Sequence, residues 1–130
     1  MVVRPRLDRT SILTGAAVGL VIAVVTLLVW EAITAAFDVD SAVLDFASFA
    51  VVVAGWVMAG WVAGRRELTA PYTHAVLAAL VAFLPVALFG IIFSIARGND
   101  VRVPEMVFNA IVAACGGLIG GVVAERSIAR

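Results

Sequence analysis

Thr10–Trp30 reads TSILTGAAVGLVIAVVTLLVW. It runs about 20 residues without a charge, enough at ~1.5 Å per residue for a helix to cross a hydrocarbon layer of ~30 Å. Three further uncharged runs of similar length follow: Phe46–Gly64, Ala75–Ala96 and Met106–Ala124. In hydrocarbon every backbone N–H and C=O must be satisfied within its own segment or in a closed barrel. Runs this long, without alternation of apolar and polar residues, exclude the barrel and leave helices.

The expected spans are approximately 11–33, 44–64, 70–96 and 104–124, in one transmembrane domain covering residues 1–130. Short connections (Glu31–Asp45, Arg65–His74, Arg97–Glu105) make successive helices antiparallel. The fold class is therefore an all-α membrane protein, an antiparallel four-helix transmembrane bundle. Composition agrees, since 64% hydrophobic and 14% charged residues would not keep a chain dispersed in water. Arg4, Arg6 and Arg9 before the first run, with Thr34-Ala35-Ala36 after it, imitate a secretory signal. The apolar region of a signal is normally about 7–15 residues, so the first run is read as an uncleaved anchor.

Every basic residue other than His74 is Arg. Arg4, Arg6, Arg9, Arg65, Arg66, Arg126 and Arg130 fall on one side of the bundle, and Arg97 and Arg102 on the other. Basic residues favour the cytoplasmic side, so both termini are expected there. Glu31, Asp38, Asp40, Asp45, Asp100 and Glu105 fall on the opposite side, so a net charge of zero conceals two surfaces of opposite sign. This bias separates the chain from the smallest multidrug transporters, which insert both ways and carry a buried Glu midway along the first span; here Glu31 follows the span. The cytoplasmic Arg residues orient the helices or contact anionic lipid head groups.

Thr69 is placed to cap the third helix with Pro71 in its first turn, and Pro104 takes the same place in the fourth. Trp30, Trp61 and Tyr72 suit the two interfaces. Leu13-Thr14-Gly15-Ala16 aligns with Tyr72-Thr73-His74-Ala75, and Gly60–Arg66 with Gly120–Arg126, a faint hairpin repeat. Small residues recur four apart, most densely as Gly60 with Gly64, Gly116 with Gly120 and Gly117 with Gly121. Such stripes bring helix backbones close, either within one chain or as a seam between copies. Pro85 in the third span removes a donor to the Val81 carbonyl and is a candidate kink.

Polar side chains in the spans gather toward the outer leaflet: Thr26, Glu31, Asp45, Ser48, Ser94, Arg97, Glu105 and Asn109. Intramembrane polar groups are costly and mark candidate sites. If Glu31, Asp45, Ser48, Arg97 and Asn109 converge, they form a vestibule in which Arg97 pairs with Glu31 or Asp45. Otherwise the charged groups sit hydrated among head groups and Asn109 ties helices together. His74, the one histidine, lies at the cytoplasmic start of the third span and reads as structural or as a pH or phosphate contact. Cys115 reads as a small packing residue, and the Trp56 N–H as a donor to the carbonyl released by Pro85.

A lone histidine gives no metal cluster. There is no phosphate-cradling loop and no grouped acid, base and nucleophile. No catalytic, cofactor-binding or metal residue is therefore assigned, and no nucleic-acid partner.

Gly60-Trp61-Val62-Ala63-Gly64-Arg65-Arg66, His74-Ala75 and Gly116-Gly117 with Gly120-Gly121 together resemble a pattern in small four-span bacterial inner-membrane proteins of unassigned function. Those proteins have Gly where this chain has Ala75. The resemblance implies the fold and a bacterial inner-membrane location. The four-span fluoride channels differ, since their Gly-rich Arg-bearing start and Thr-Phe-Ser run do not occur here. The reading is a non-enzymatic accessory or assembly subunit acting through helix contacts in the bilayer, with itself or with a larger complex. The alternative is a small transporter or channel using the outer polar cluster.

Overall fold

The computed structural model describes residues 7–37 and 41–129; Arg4, Arg6, Asp38, Asp40 and Arg130 lie outside them. Four helices make up nearly all of it: α1 (Arg9–Phe37), α2 (Ala42–Arg66), α3 (Pro71–Ala96) and α4 (Val103–Ile128). All four are long and apolar enough to cross a membrane, and the chain is a multi-pass membrane protein. The helices run slightly past most of the expected span ends.

Helix ends follow local chemistry. Pro71 opens α3 and Pro104 lies in the first turn of α4, where a missing N–H costs nothing. Ala70, rather than Thr69, occupies the cap position of α3. The Thr69 hydroxyl and N–H donate instead to the Glu67 carboxylate at the end of α2. Past α3, Gly98 takes a positive φ of 71°. Its N–H meets the Ile95 carbonyl at 3.0 Å, and the Asn99 N–H meets that of Ser94 at 2.9 Å. This is a Schellman ending, which glycine adopts without steric cost. α3 continues as one helix through Pro85.

The glycines fix the register. A Cβ on Gly15 would meet Ala63 and Ala78, and one on Gly19 would meet Ala59 and Ala82, so α1 runs antiparallel to α2 and parallel to α3. Gly60 faces Gly117, Gly64 faces Gly121 and Ala124, and Gly121 faces Ala75. Thus α4 is parallel to α2 and antiparallel to α3. The central pair is α2 and α3; α1 and α4 occupy opposite corners, with no close backbone approach between them among the described residues.

Close packing is confined to the end that carries both termini. No described residue of α1 after Ala23 is buried, none of α2 before Val52, none of α3 after Phe83 and none of α4 before Ala113. The packed half is built from Gly and Ala, with Ala59, Ala63, Ala75, Ala78 and Ala79 wholly buried. The far half carries Leu28, Phe46, Phe89, Phe93 and Phe108, all exposed. Small residues let the helix axes close up, whereas bulky ones hold them apart.

Substitutions should divide along this boundary. A Cβ on Gly120 would lie 2.6 Å from the Trp61 backbone nitrogen and closer still to the Val57 carbonyl, whereas one on Gly90 meets nothing within 4 Å. Gly120→Ala should cost about 1–3 kcal/mol through overpacking. Gly90→Ala should leave stability unchanged or raise it by about 0.5–1 kcal/mol through helix propensity. Thermal unfolding of the purified variants in mild detergent checks both.

Candidate functional site

Where α3 and α4 part in the far half, a cleft of about 640 Å³ opens between them. Phe83, Val86, Ala87, Gly90 and Ile91 line its α3 side. Its mouth is polar, formed by Ser94 at the end of α3, Asn99, Asp100 and Arg102 in the connection, and Glu105 and Asn109 on α4. The Schellman turn at Gly98 carries the connection back over this mouth. The volume is that of a small-molecule site, and the graded lining is apolar inside and polar at the rim.

Of the expected vestibule residues, the cleft gathers Asn109, together with Ser94 and Glu105. Glu31, Asp45, Ser48 and Arg97 do not line it. Glu31, Asp45 and Arg97 are exposed, and the Arg97 guanidinium lies 5.8 Å from the Phe93 ring centroid. The Ser48 hydroxyl donates to the Asp45 carbonyl at 2.9 Å and that of Thr26 to the Ile22 carbonyl at 2.7 Å, so each is satisfied by its own helix. Among the described residues the ion pair is Arg102 with Glu105, at 2.8 Å.

All six glycines of the expected seam are buried within this one chain. A contact between copies therefore has to use another face. Cys115, expected to pack, is exposed on α4. Trp56 is buried edge-on to Phe83, with centroids 5.9 Å apart. Its N–H finds no acceptor among the described residues, so the Val81 carbonyl does not serve it.

A second polar group, at the termini end, was only half legible. His74 is fully buried. Its Nε2 accepts the Asp8 N–H at 2.9 Å and its Nδ1 lies 2.9 Å from the Ala70 carbonyl. In that pairing Nε2 is the acceptor and Nδ1 the donor. Asp8 in turn caps α1: its carboxylate accepts the N–H groups of Thr10 and Ser11, both at 3.1 Å, and the Ser11 hydroxyl. The Ser11 hydroxyl chiefly, with the Ser11 and Thr10 N–H groups, holds the Asp8 carboxyl below its ordinary value, against the opposing effect of burial. Two further links lie at this end: Arg66 donates to the Thr14 hydroxyl at 3.2 Å, and the Tyr72 hydroxyl donates to the Glu125 carboxylate. Together they join α1 to α3, α2 to α1 and α3 to α4. Sequence spacing gave no sign of the Asp8–His74 pair, which lies 66 residues apart; a lone His in an Ala-rich helix start was the available signal.

Searches against family models, curated proteins and solved structures return no match, so the relationship rests at four candidate membrane spans with no family identified.

Two outcomes follow at this junction. His74→Phe strands the Asp8 N–H and should lower stability by about 1–3 kcal/mol. Because the folded Asp8 carboxyl sits below 3.8, its contribution is complete above that value and lost as pH falls through the folded one. Asp8→Ala should therefore lower the unfolding temperature at neutral pH, with the gap to wild type closing in acid below about pH 4. Unfolding scans across pH measure both effects.

Proposed function

We propose that this protein is a non-enzymatic subunit of the bacterial inner membrane, with both termini in the cytoplasm, that serves a larger membrane assembly through its splayed half. The observation behind this reading is the unequal use of apolar surface. The Gly and Ala faces of the termini end are consumed inside the chain, while Phe89 and Phe108 in the far half stay exposed. A helix from a partner would gain packing there that the monomer does not supply, and packing is what drives association in lipid. The described Arg residues support the orientation: Arg9, Arg65, Arg66 and Arg126 lie at the termini end, against Arg97 and Arg102 at the other.

A second reading, a small transporter, draws support from the α3/α4 cleft and Asn109 within it. It requires the Gly and Ala seam below Phe83 to part, because the layers there are wholly buried.

Photo-crosslinking residues at Phe89 and Phe108, compared with Leu118 and Ile119 on the exposed surface of the packed half, separate the two. Discrete protein adducts confined to the far-half positions are expected. Equal labelling at both sets, together with solute flux in proteoliposomes, would favour the transporter. A cytoplasmic reporter fused after Arg130 should be active, and a periplasmic one silent.

A further inference from the structure

Gly90 is the odd glycine of this chain. Every other helical glycine has a neighbouring helix within 4 Å of where its Cβ would lie, and Gly90 has nothing. Nor does its backbone need glycine, since its φ lies outside the positive range. In a helix it forgoes about 0.5–1 kcal/mol relative to Ala. What it does instead is line the α3/α4 cleft, where any side chain would fill the space.

From Phe83 to Ser94 the cleft follows α3 for about 16 Å. That is half of the ~30 Å hydrocarbon thickness, the reach of a single leaflet. Along this length Phe83, Val86, Ala87 and Ile91 offer an apolar wall. The polar mouth stands at the end of the span, at the depth where head groups lie. It carries Asp100, Arg102 and Glu105, two acids to one base. Arg102 gives one N–H to Glu105 and keeps further donors on its guanidinium. The mouth thus offers cationic donors for a phosphate and acidic acceptors for an ammonium group beside it.

We propose that the cleft is a binding site for one zwitterionic phospholipid with a primary ammonium head. One acyl chain lies along Gly90, the phosphate is bound by Arg102, and the ammonium is held by Asp100 and Glu105. This goes beyond the subunit reading, since it concerns the lipid the chain holds rather than the protein it joins. An anionic phospholipid without the ammonium would face the surplus acid and bind less well.

Native mass spectrometry of the full chain in mild detergent, with an equimolar mixture of phosphatidylethanolamine and phosphatidylglycerol, provides the test. Wild type should retain one phosphatidylethanolamine in preference to phosphatidylglycerol. Gly90→Leu, whose Cβ meets no atom within 4 Å and whose side chain extends into the cleft, should stay folded with an unfolding temperature no lower than wild type and should weaken that retention by about tenfold. The double substitution Asp100→Asn, Glu105→Gln should erase the preference while leaving lipid bound. A Gly90→Leu protein that holds phosphatidylethanolamine as well as wild type overturns the site. An unchanged preference in the double variant overturns the head-group assignment.

Discussion

Main chain resting on main chain is the constraint from which the rest of this bundle follows. Where α2 crosses α4, a Cβ on Gly60 would come within 2.8 Å of the Gly117 Cα, and one on Gly117 would lie 2.7 Å from the Ala75 carbonyl of α3. Lipid tails are as apolar as any side chain, so helices gain nothing by excluding water and must gain from contact itself. Dispersion falls off steeply with separation, and only glycine and alanine allow an approach this close. Bulk is therefore displaced to the other half of each helix, where the chain opens.

The inter-helix polar links fall at the same end for a related reason. Where backbones are close, side chains reach across to the next helix: His74 to Asp8, Arg66 to Thr14, Tyr72 to Glu125. Where helices splay, the corresponding groups find partners only nearby, as Ser48 does at the Asp45 carbonyl and Arg102 at Glu105. Asp8 and His74 matter beyond their two bonds. Asp8 satisfies two of the orphan N–H groups at the start of α1 while its own N–H is held by a ring rooted in α3, so the cap and the helix contact stabilise one another.

The uncharged runs made the four helices legible because lipid imposes length and charge limits that sequence displays directly. The four-residue glycine spacing was legible as a packing stripe for the same reason. Which helix each stripe meets was not, since spacing carries no information about partners; Gly116, Gly117, Gly120 and Gly121 divide between α2 and α3. The cleft was hidden too. Ser94, Glu105 and Asn109 share a depth with Glu31, Asp45 and Ser48, but depth does not say on which side of a helix a residue lies, and the backbones of α1 and α4 stay apart. Thr69 shows the limit of local rules, because a neighbouring carboxylate competed for its hydroxyl and left the cap to Ala70.

Pro85 stands two residues beyond Phe83, the last buried residue of α3, at the point where the helix leaves the seam and begins to line the cleft. A proline earlier in α3 would disturb backbone packing against α1 and α4 where a small shift is felt at once. At this position the carbonyl it releases belongs to Val81, still within the packed half, while the helix it weakens continues into the open one. The backbone hydrogen bond that Pro85 denies α3 thus lies at the boundary between a half held by glycine contacts and a half without them. Any change in cleft width, whether a lipid chain or a partner helix occupies it, would be taken up there rather than in the seam.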